Sequence, residues 1–186
     1  VSDSLGCVGY QVHYDLAYGG AFYAYVDMAR NTFDFDLSKD SYQELINKGM
    51  DIKKAVMAKD AHILHPFESD LSFLYGTIFT EWSDDPELES RNVCVFADGE
   101  VDRSPTGSGV SGRMAIHKMR NELALGEKMR IASITDSVFT ASYVEEVDFG
   151  PFKAVIPEVE GTAYITGMHT FVIDPKDPMK NGFILR

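Results

Sequence analysis

The segment DRSPTGSG, residues 102–109, holds an acid, hydroxyl groups and several small residues within a short space. It follows VCVFA, an apolar run typical of a buried strand, and precedes apolar residues at helical spacing. The first backbone N–H groups of a helix have no partners within it, and the helix dipole favours an anion there. Because Gly107 and Ser108 are small, a ligand carboxylate could approach these N–H groups closely.

Asp102 adds a second binding group upstream of Thr106. Its carboxylate could accept hydrogen bonds from a substrate amine while the helix N–H groups hold the carboxylate of the same molecule. An amino acid carries both groups, so the segment indicates an amino-acid site. Two simpler interpretations remain open, since Thr106 has the chemistry of an ordinary helix N-cap and small residues are common in tight turns.

The surrounding sequence predicts the elements that must position this segment. One helix is predicted over 41–63, and a second is predicted from about Gly107 to Leu125, where Gly126 would end it. The last third of the chain alternates as antiparallel strands do. The complete set of predicted strands is 10–17, 22–28, 71–82, 93–97, 133–147, 152–161 and 162–174.

Composition narrows the class of protein. The chain has 186 residues, 45% of them hydrophobic, which suits one domain or two small domains that share a core. Its formal net charge is -12 and it has no basic run, so nucleic acid and anionic membranes are not expected partners. No apolar run is long enough to span a bilayer, and we expect a cytoplasmic protein.

Histidines and cysteines offer few further candidates for chemistry. Cys7 and Cys94 are far apart and form no CxxC motif, which suits a reducing compartment and argues against a structural zinc site. Cys94 lies within a predicted strand and is expected to be an inert buried thiol. His13 and His117 are interpreted as structural residues, and His65 before a proline as a residue that shapes its loop.

The sequence resembles the proline racemase family. DRSPTGSG is similar to the second active-site motif of that family, whose usual form is DRSPCGTG, and Thr106 stands at the cysteine position. DLAYGGAFYAYVD, DLSFLYGTIFTE, FKAVIPEVEGTAYITG and the closing GFILR resemble other family segments. The earlier CGHG-like motif, which carries the first family cysteine, has no counterpart in this chain. Residues 1–186 are therefore identified as a carboxy-terminal half whose cysteine-bearing first domain is absent.

The resemblance implies a fold and a set of residue roles. The fold would be α+β, a diaminopimelate-epimerase-like domain with an antiparallel sheet wrapped around a central helix. Asp102 would bind the ring nitrogen of a cyclic amino acid, and Phe96 would line the ring pocket. Gly107 and Ser108 would be backbone donors to the substrate carboxylate, and Thr106 would occupy the second catalytic position.

The threonine changes the reaction that the resemblance implies. Family racemases use two thiols to exchange the α-proton, and a hydroxyl is a far weaker acid than a thiol, whose ordinary pKa is about 8.5. The threonine-containing form resembles enzymes that dehydrate trans-3-hydroxy-L-proline to Δ1-pyrroline-2-carboxylate with no metal or organic cofactor. We expect the isolated half to be inactive without the missing amino-terminal domain.

Other functions remain open from the sequence. A proline racemase or a 4-hydroxyproline epimerase could have replaced its second base, and a non-catalytic amino-acid-binding module would keep the same binding groups. The partner in each case is a small cyclic amino acid. Assembly into a homodimer is also left open by the sequence.

Overall fold

The computed structural model of the chain describes residues 2–7, 10–59 and 61–184. Most of that part of the chain up to Glu160 forms strands and helices. Two α-helices are present, α1 (Tyr42–Lys59) and α2 (Gly107–Met119). The strands are β1 (Ser2–Cys7), β2 (Tyr10–Tyr18), β3 (Phe22–Asp27), β4 (Leu74–Trp82), β5 (Ser90–Phe96), β6 (Glu100–Val101), β7 (Met129–Ala132), β8 (Val138–Phe149) and β9 (Phe152–Glu160). Short 3-10 turns occur at Met28–Arg30, Lys39–Ser41 and Ser69–Leu71.

The strands form one mixed sheet rather than the antiparallel sheet that the sequence and the family resemblance predicted. Its order is β1-β2-β3-β4-β5-β7-β8-β9, and β6 pairs with β5. β3 pairs with β4 in parallel, and so does β5 with β7, while the other pairs are antiparallel. Parallel neighbours need a long crossover, and the segments that contain α1 and α2 provide these two crossovers.

The two helices lie on opposite faces of the sheet. Alternation along β3 sends Phe22, Ala24 and Val26 into the core that α1 covers. The intervening Tyr23 and Tyr25 belong to the other face, where α2 lies. α2 contacts β2 near one end of the sheet and β8 and β9 near the other, so the sheet curves around this helix.

α2 begins at Gly107 as predicted but ends at Met119, six residues before the predicted end. The cause is local. Asn121 has a φ of 56°, the left-handed conformation that commonly follows the last turn of a helix. The amide nitrogen of Asn121 donates to the carbonyl oxygen of Lys118 across 3.0 Å, which closes the helix before Gly126 is reached.

The predicted strand over 162–174 does not form. Residues 161–184 contain no strand or helix, although the segment carries many large apolar side chains. Ile165 and Met168 are 94% and 95% exposed, and Phe171 is 90% exposed. The sequence pattern of a strand is present, but no strand in the described part of the chain lies alongside to pair with it.

Gly19, in the turn between β2 and β3, fixes how closely the sheet approaches α2. A Cβ atom added there would lie 2.3 Å from the carbonyl oxygen of Ser108 and 2.4 Å from the amide nitrogen of Gly112. Both are backbone atoms of α2, which cannot rotate away as a flexible side chain can. The start of α2 is thus seated directly against the β2–β3 turn.

We predict that Gly19→Ala lowers the free energy of unfolding by about 1–3 kcal/mol or more, because the new methyl group overlaps the helix backbone. Gly107→Ala is the matched control, since an added Cβ at Gly107 meets nothing within 4 Å. This control should be neutral or stabilising by up to about 1 kcal/mol. Urea unfolding measures both, and equal stability of the two variants would contradict the seating of α2 on this turn.

Candidate functional site

The loop between β6 and α2 is held mainly through its backbone carbonyl groups. Hydroxyl groups of Ser133 and Thr135 donate to the carbonyl oxygen of Arg103. The side-chain amide of Asn92 donates to the carbonyl oxygen of Pro105 at 3.1 Å. Side chains from β5 and from the turn after β7 therefore fix the path of the loop.

Asp102 is the acceptor at the centre of the loop. The hydroxyl of Thr106 donates to its Oδ2 across 2.9 Å. The backbone N–H and the hydroxyl of Ser104 donate to its Oδ1 at 2.9 and 3.0 Å. A carboxylate has about four acceptor positions, so Asp102 can still accept from a ligand amine.

Thr106 has a backbone conformation that a β-branched residue rarely adopts. Its φ is 71° and its ψ is 101°, and the residue is only 6% exposed. A non-glycine residue held in this region costs about 1–3 kcal/mol, which the surrounding contacts must offset. Such residues are concentrated at functional sites.

Thr106 stands at the N-cap of α2, but the interpretation that its side chain caps the helix is wrong. The residue occupies the N-cap position, but its side chain makes no capping hydrogen bond to the helix. The hydroxyl donates to Asp102 instead. The first N–H groups of α2 are consequently not capped by this hydroxyl, and the first helical bond runs from the amide of Val110 to the carbonyl of Thr106 at 2.7 Å.

Two tyrosines of β3, which the sequence did not single out, anchor the first turn of α2. The hydroxyl of Tyr23 lies 2.9 Å from the hydroxyl of Ser108. The hydroxyl of Tyr25 donates to the carbonyl oxygen of Gly109 at 2.7 Å. Burial raises the pKa of both phenols, so both remain neutral hydrogen-bonding groups. Their alternation with the apolar residues of β3 was a usable signal in the sequence.

Aromatic rings connect Phe96 to this turn. Phe96 stacks on Tyr75 with ring centroids 5.6 Å apart, and Tyr75 meets Tyr23 edge-on at 5.8 Å. Tyr23 in turn contacts Ser108. The structure therefore brings Phe96 at the end of β5 to the same locality as the residues predicted from the DRSPTGSG segment, beside an aromatic surface.

Cys94 is buried, as predicted. It is 1% exposed, and burial raises the pKa of its thiol to about 12. A thiol with this pKa supplies almost no thiolate near neutral pH. Cys94 therefore lacks the properties of a catalytic acid or base. The side chain of Cys7 lies outside the part of the structure that can be described.

The three histidines weighed from the sequence lie away from Asp102. The imidazole of His65 contacts the rings of Tyr18 and Phe149 and accepts from the amide of Glu68 at 2.9 Å, so it shapes its loop. His13 is partly buried on β2. His117 lies near the end of α2, where burial and the neighbouring Arg113 lower its pKa to about 4.

A separate polar cavity of about 60 Å³ lies beside the later part of α2. Its lining includes Tyr25, Trp82, Arg113, His117 and Arg120. None of the five sequence-predicted site residues lines this cavity.

Within 2–7, 10–59 and 61–184, no three His, Cys, Asp or Glu side chains come together as a metal site. None of the helices in these ranges is long and apolar enough to cross a membrane.

The curved mixed sheet and the DRSPTGSG turn agree with a comparison against protein families. The family model described as proline racemase matches residues 5–184. The chain belongs to the proline racemase family, and its fold is that of the family.

Similar proteins carry more specific names. A protein from Colwellia psychrerythraea named trans-3-hydroxy-L-proline dehydratase is 48% identical over 175 residues, which are 94% of this chain and 48% of that protein. A 3-hydroxyproline 2-epimerase from Burkholderia multivorans is 44% identical over 172 residues, 92% of this chain and 50% of that protein. Among solved structures, a hydroxyproline epimerase from Agrobacterium vitis with bound trans-4-hydroxy-L-proline has a TM-score of 0.79 at 28% identity, covering 100% of this chain and 52% of that one. The chain spans about half the length of these relatives.

Burial of Cys94 predicts a specific resistance to alkylation. The test uses a Cys7→Ser variant and iodoacetamide at pH 8. The rate at which Cys94 is modified should be at least ~100-fold lower in the folded protein than in the same protein unfolded in guanidinium chloride. The reason is the scarcity of thiolate at a pKa of about 12 and the burial of the sulfur. Mass spectrometry follows the modification. Labelling of the folded protein at the unfolded rate would contradict the burial.

The lowered pKa of His117 predicts a loss of stability in acid. The unfolded chain binds a proton at His117 near its ordinary pKa of about 6.5, while the folded chain resists it until about pH 4. As the pH falls from 7 to 4.5, this group should therefore reduce the free energy of unfolding by on the order of 2 kcal/mol. His117→Gln should flatten the pH profile, whereas His169→Gln, at an exposed position, controls for loss of an imidazole. Parallel profiles for wild type and His117→Gln would contradict the prediction.

Proposed function

We propose that this chain is the carboxy-terminal half of a trans-3-hydroxy-L-proline dehydratase and supplies the substrate-binding half of its active site. The observation that carries the proposal is the hydrogen bond from Thr106 to Asp102 in front of the uncapped start of α2. It supports the proposal because Asp102 can accept from an amine, the helix N–H groups can donate to a carboxylate, and a hydroxyl stands where a second thiol would be. The reaction requires no metal, pyridoxal phosphate or nicotinamide.

The binding groups match a cyclic amino acid. Asp102 accepts from the ring nitrogen through its remaining lone pair, and the backbone N–H groups of Gly107 and Ser108 hold the carboxylate. Phe96 lines the ring pocket, and the adjoining Tyr75 extends its aromatic surface. The N–H donors also stabilise the negative charge that grows on the carboxylate side as the α-proton leaves.

Thr106 has a role that does not involve exchange at Cα. Its single hydroxyl proton is directed to the Asp102 carboxylate, and a hydroxyl is a poor proton donor compared with a thiol. Its oxygen can still accept a hydrogen bond from the 3-hydroxyl of the substrate and so orient the leaving group. Epimerisation needs an acid on this face of the substrate, and Thr106 does not serve as one.

The chemical step balances without a redox partner. A base on the other half of the protein takes the α-proton, and the electron pair of that C–H bond becomes the second bond between Cα and C3. The C3–O bond breaks with its electron pair, and the departing hydroxide takes a proton from solvent to form water. The base later releases the α-proton to solvent, so the net change is the loss of one water molecule. The resulting enamine tautomerises to Δ1-pyrroline-2-carboxylate.

The proton-abstracting base belongs to an amino-terminal domain in this proposal. The chain spans about half of its relatives, and Cys94 is too deeply buried to act as that base. The exposed apolar side chains of residues 161–184 are also suited to burial against further protein. The isolated half is accordingly proposed to be inactive. The diaminopimelate-epimerase-like description, the cytoplasmic location and a homodimer stay predictions.

Epimerisation is the second candidate, because a 44% identical relative is named 3-hydroxyproline 2-epimerase. Product analysis separates the two reactions. Dehydration gives a cyclic imine with loss of the 3-hydroxyl, whereas epimerisation keeps the hydroxyl and inverts Cα.

We expect the full-length protein, comprising this half and its amino-terminal domain, to convert trans-3-hydroxy-L-proline to Δ1-pyrroline-2-carboxylate. Thr106→Val keeps the size and branching of the side chain but removes the hydroxyl, and it should lower kcat by about 10- to 100-fold. Thr106→Ser is the matched control and should retain most of the activity. Thr106→Cys should introduce epimerisation, since it places a thiol at that position. Liquid chromatography of the products measures dehydration and epimerisation in wild type and in the three variants.

Two outcomes would contradict this assignment. Wild-type protein that inverts Cα without losing the 3-hydroxyl would show an epimerase. Full dehydratase activity in Thr106→Val would remove the hydroxyl from the mechanism.

A further inference from the structure

A buried chain of polar side chains connects the later part of α2 to the active-site loop. On α2, the guanidinium of Arg113 donates through NH1 to the side-chain oxygen of Asn92 at 2.8 Å and to the hydroxyl of Ser90 at 2.9 Å. The side-chain amide of Asn92 then donates to the carbonyl oxygen of Pro105. Pro105 directly precedes Thr106. These hydrogen bonds from Arg113 through Asn92 to Pro105 form the Arg113–Asn92 chain.

His117 and Glu122 complete the other end of the chain. NH2 of Arg113 lies 3.1 Å from Nε2 of His117, and Nδ1 of His117 lies 2.7 Å from a carboxylate oxygen of Glu122. A guanidinium only donates, so Nε2 of His117 must accept and its Nδ1 carries the proton. That proton is donated to Glu122. The tautomer of His117 therefore fixes the orientation of the Arg113 guanidinium.

Burying the polar groups of the Arg113–Asn92 chain costs free energy unless each of them has a hydrogen-bonding partner. Asn92 and Ser90 are fully buried, and Arg113 is 5% exposed. The hydrogen-bonding partners of the guanidinium are neutral side chains, and in the described part of the chain it forms no ion pair. Taking a cation out of water costs free energy, and the charges of Asp27 and Glu122 offset part of that cost. The remaining cost indicates a specific role for Arg113.

The bond to Pro105 acts on the strained residue. Pro105 has no N–H, so its carbonyl is its only backbone hydrogen-bonding group. Rotation of the peptide between residues 105 and 106 changes the ψ of Pro105 and the φ of Thr106 together. Such a rotation would release the positive φ of Thr106, but it would also withdraw the Pro105 carbonyl from Asn92. The hydrogen bond from Asn92 thus opposes relaxation of the loop.

We infer that Arg113 and Asn92 are positioning residues that lock the 105–106 peptide and so keep Thr106 in its strained conformation against Asp102. Arg113 acts through Asn92, because its donation orients the Asn92 amide toward Pro105. Neither side chain touches the substrate. The effect on catalysis rests on the proposed dehydratase function, whereas the effect on the loop does not.

Amide hydrogen exchange tests the lock without an activity assay. In the full-length protein, Asn92→Ala and Arg113→Lys should each raise the exchange rate of residues 104–109 by at least ~10-fold. Thr77→Val is the matched control, because Thr77 is fully buried on β4 and donates to the carbonyl of Gly49 on α1 at 2.8 Å. This control loses one buried hydrogen bond on the other face of the sheet, so exchange over 104–109 should match that of wild type. Should Asn92→Ala fail to fold, Arg113→Lys carries the comparison.

A glycine at position 106 gives a second test that general destabilisation would not reproduce. Glycine has no Cβ and accepts a positive φ with less strain than threonine, so in a Thr106→Gly background Asn92→Ala should accelerate exchange of the loop far less. The dehydratase assay gives a further test with the Asn92→Ala, Arg113→Lys double variant. Its loss of kcat/KM should equal the larger of the losses in the two single variants, because both residues act through the same peptide.

Three results would overturn the inference. The first is an exchange rate over 104–109 that is the same in Asn92→Ala as in Thr77→Val. The second is an effect of Asn92→Ala on that rate that is as large in the Thr106→Gly background as in wild type. The third is a loss of kcat/KM in the double variant that equals the product of the two single losses. Absence of dehydratase activity in wild type would refute the proposed function alone, because the exchange experiments would still decide whether the lock exists.

Discussion

The hydrogen bond between the hydroxyl of Thr106 and the carboxylate of Asp102 is the contact on which the site depends. It draws the two ends of the loop together and turns the threonine side chain away from the start of α2. The Thr106 hydroxyl therefore does not cap the N–H groups of the helix, and in the proposed function these groups and the acid bind one ligand. The arrangement requires a positive φ at a β-branched residue, and the rest of the structure must hold that conformation.

The surrounding contacts supply that constraint from several directions. Ser133 and Thr135 hold the carbonyl of Arg103, Asn92 holds that of Pro105, and two tyrosines of β3 hold the first turn of α2. These contacts join the loop and the first turn of α2 to β5, to the turn after β7 and to β3. The positions of Asp102 and Thr106 thus depend on distant parts of the fold, although the two residues lie close together in the sequence.

Residues 161–184 are the part of the described chain that packs least against the sheet. Their apolar side chains follow the pattern of a strand but are largely exposed. A strand needs a neighbour, because its backbone N–H and C=O groups must find partners before its side chains can be buried. In the proposed enzyme, the same amino-terminal domain that brings the base would provide this neighbour, so catalysis and burial of the tail would depend on one contact.

The sequence by itself determined the local features: the strand before the loop, the start of α2 at Gly107, and the acid and hydroxyl that face a cyclic amino acid in the proposed function. These follow from residue type, periodicity and a specific motif, which act over short distances along the chain. The tertiary structure alone decided that β3 and β4 run parallel, that Asn121 ends α2, and that Tyr23, Asn92 and Arg113 support the site. Those features depend on which segments become neighbours after the sheet curves around α2, and no local pattern encodes the partner of a side chain some tens of residues away.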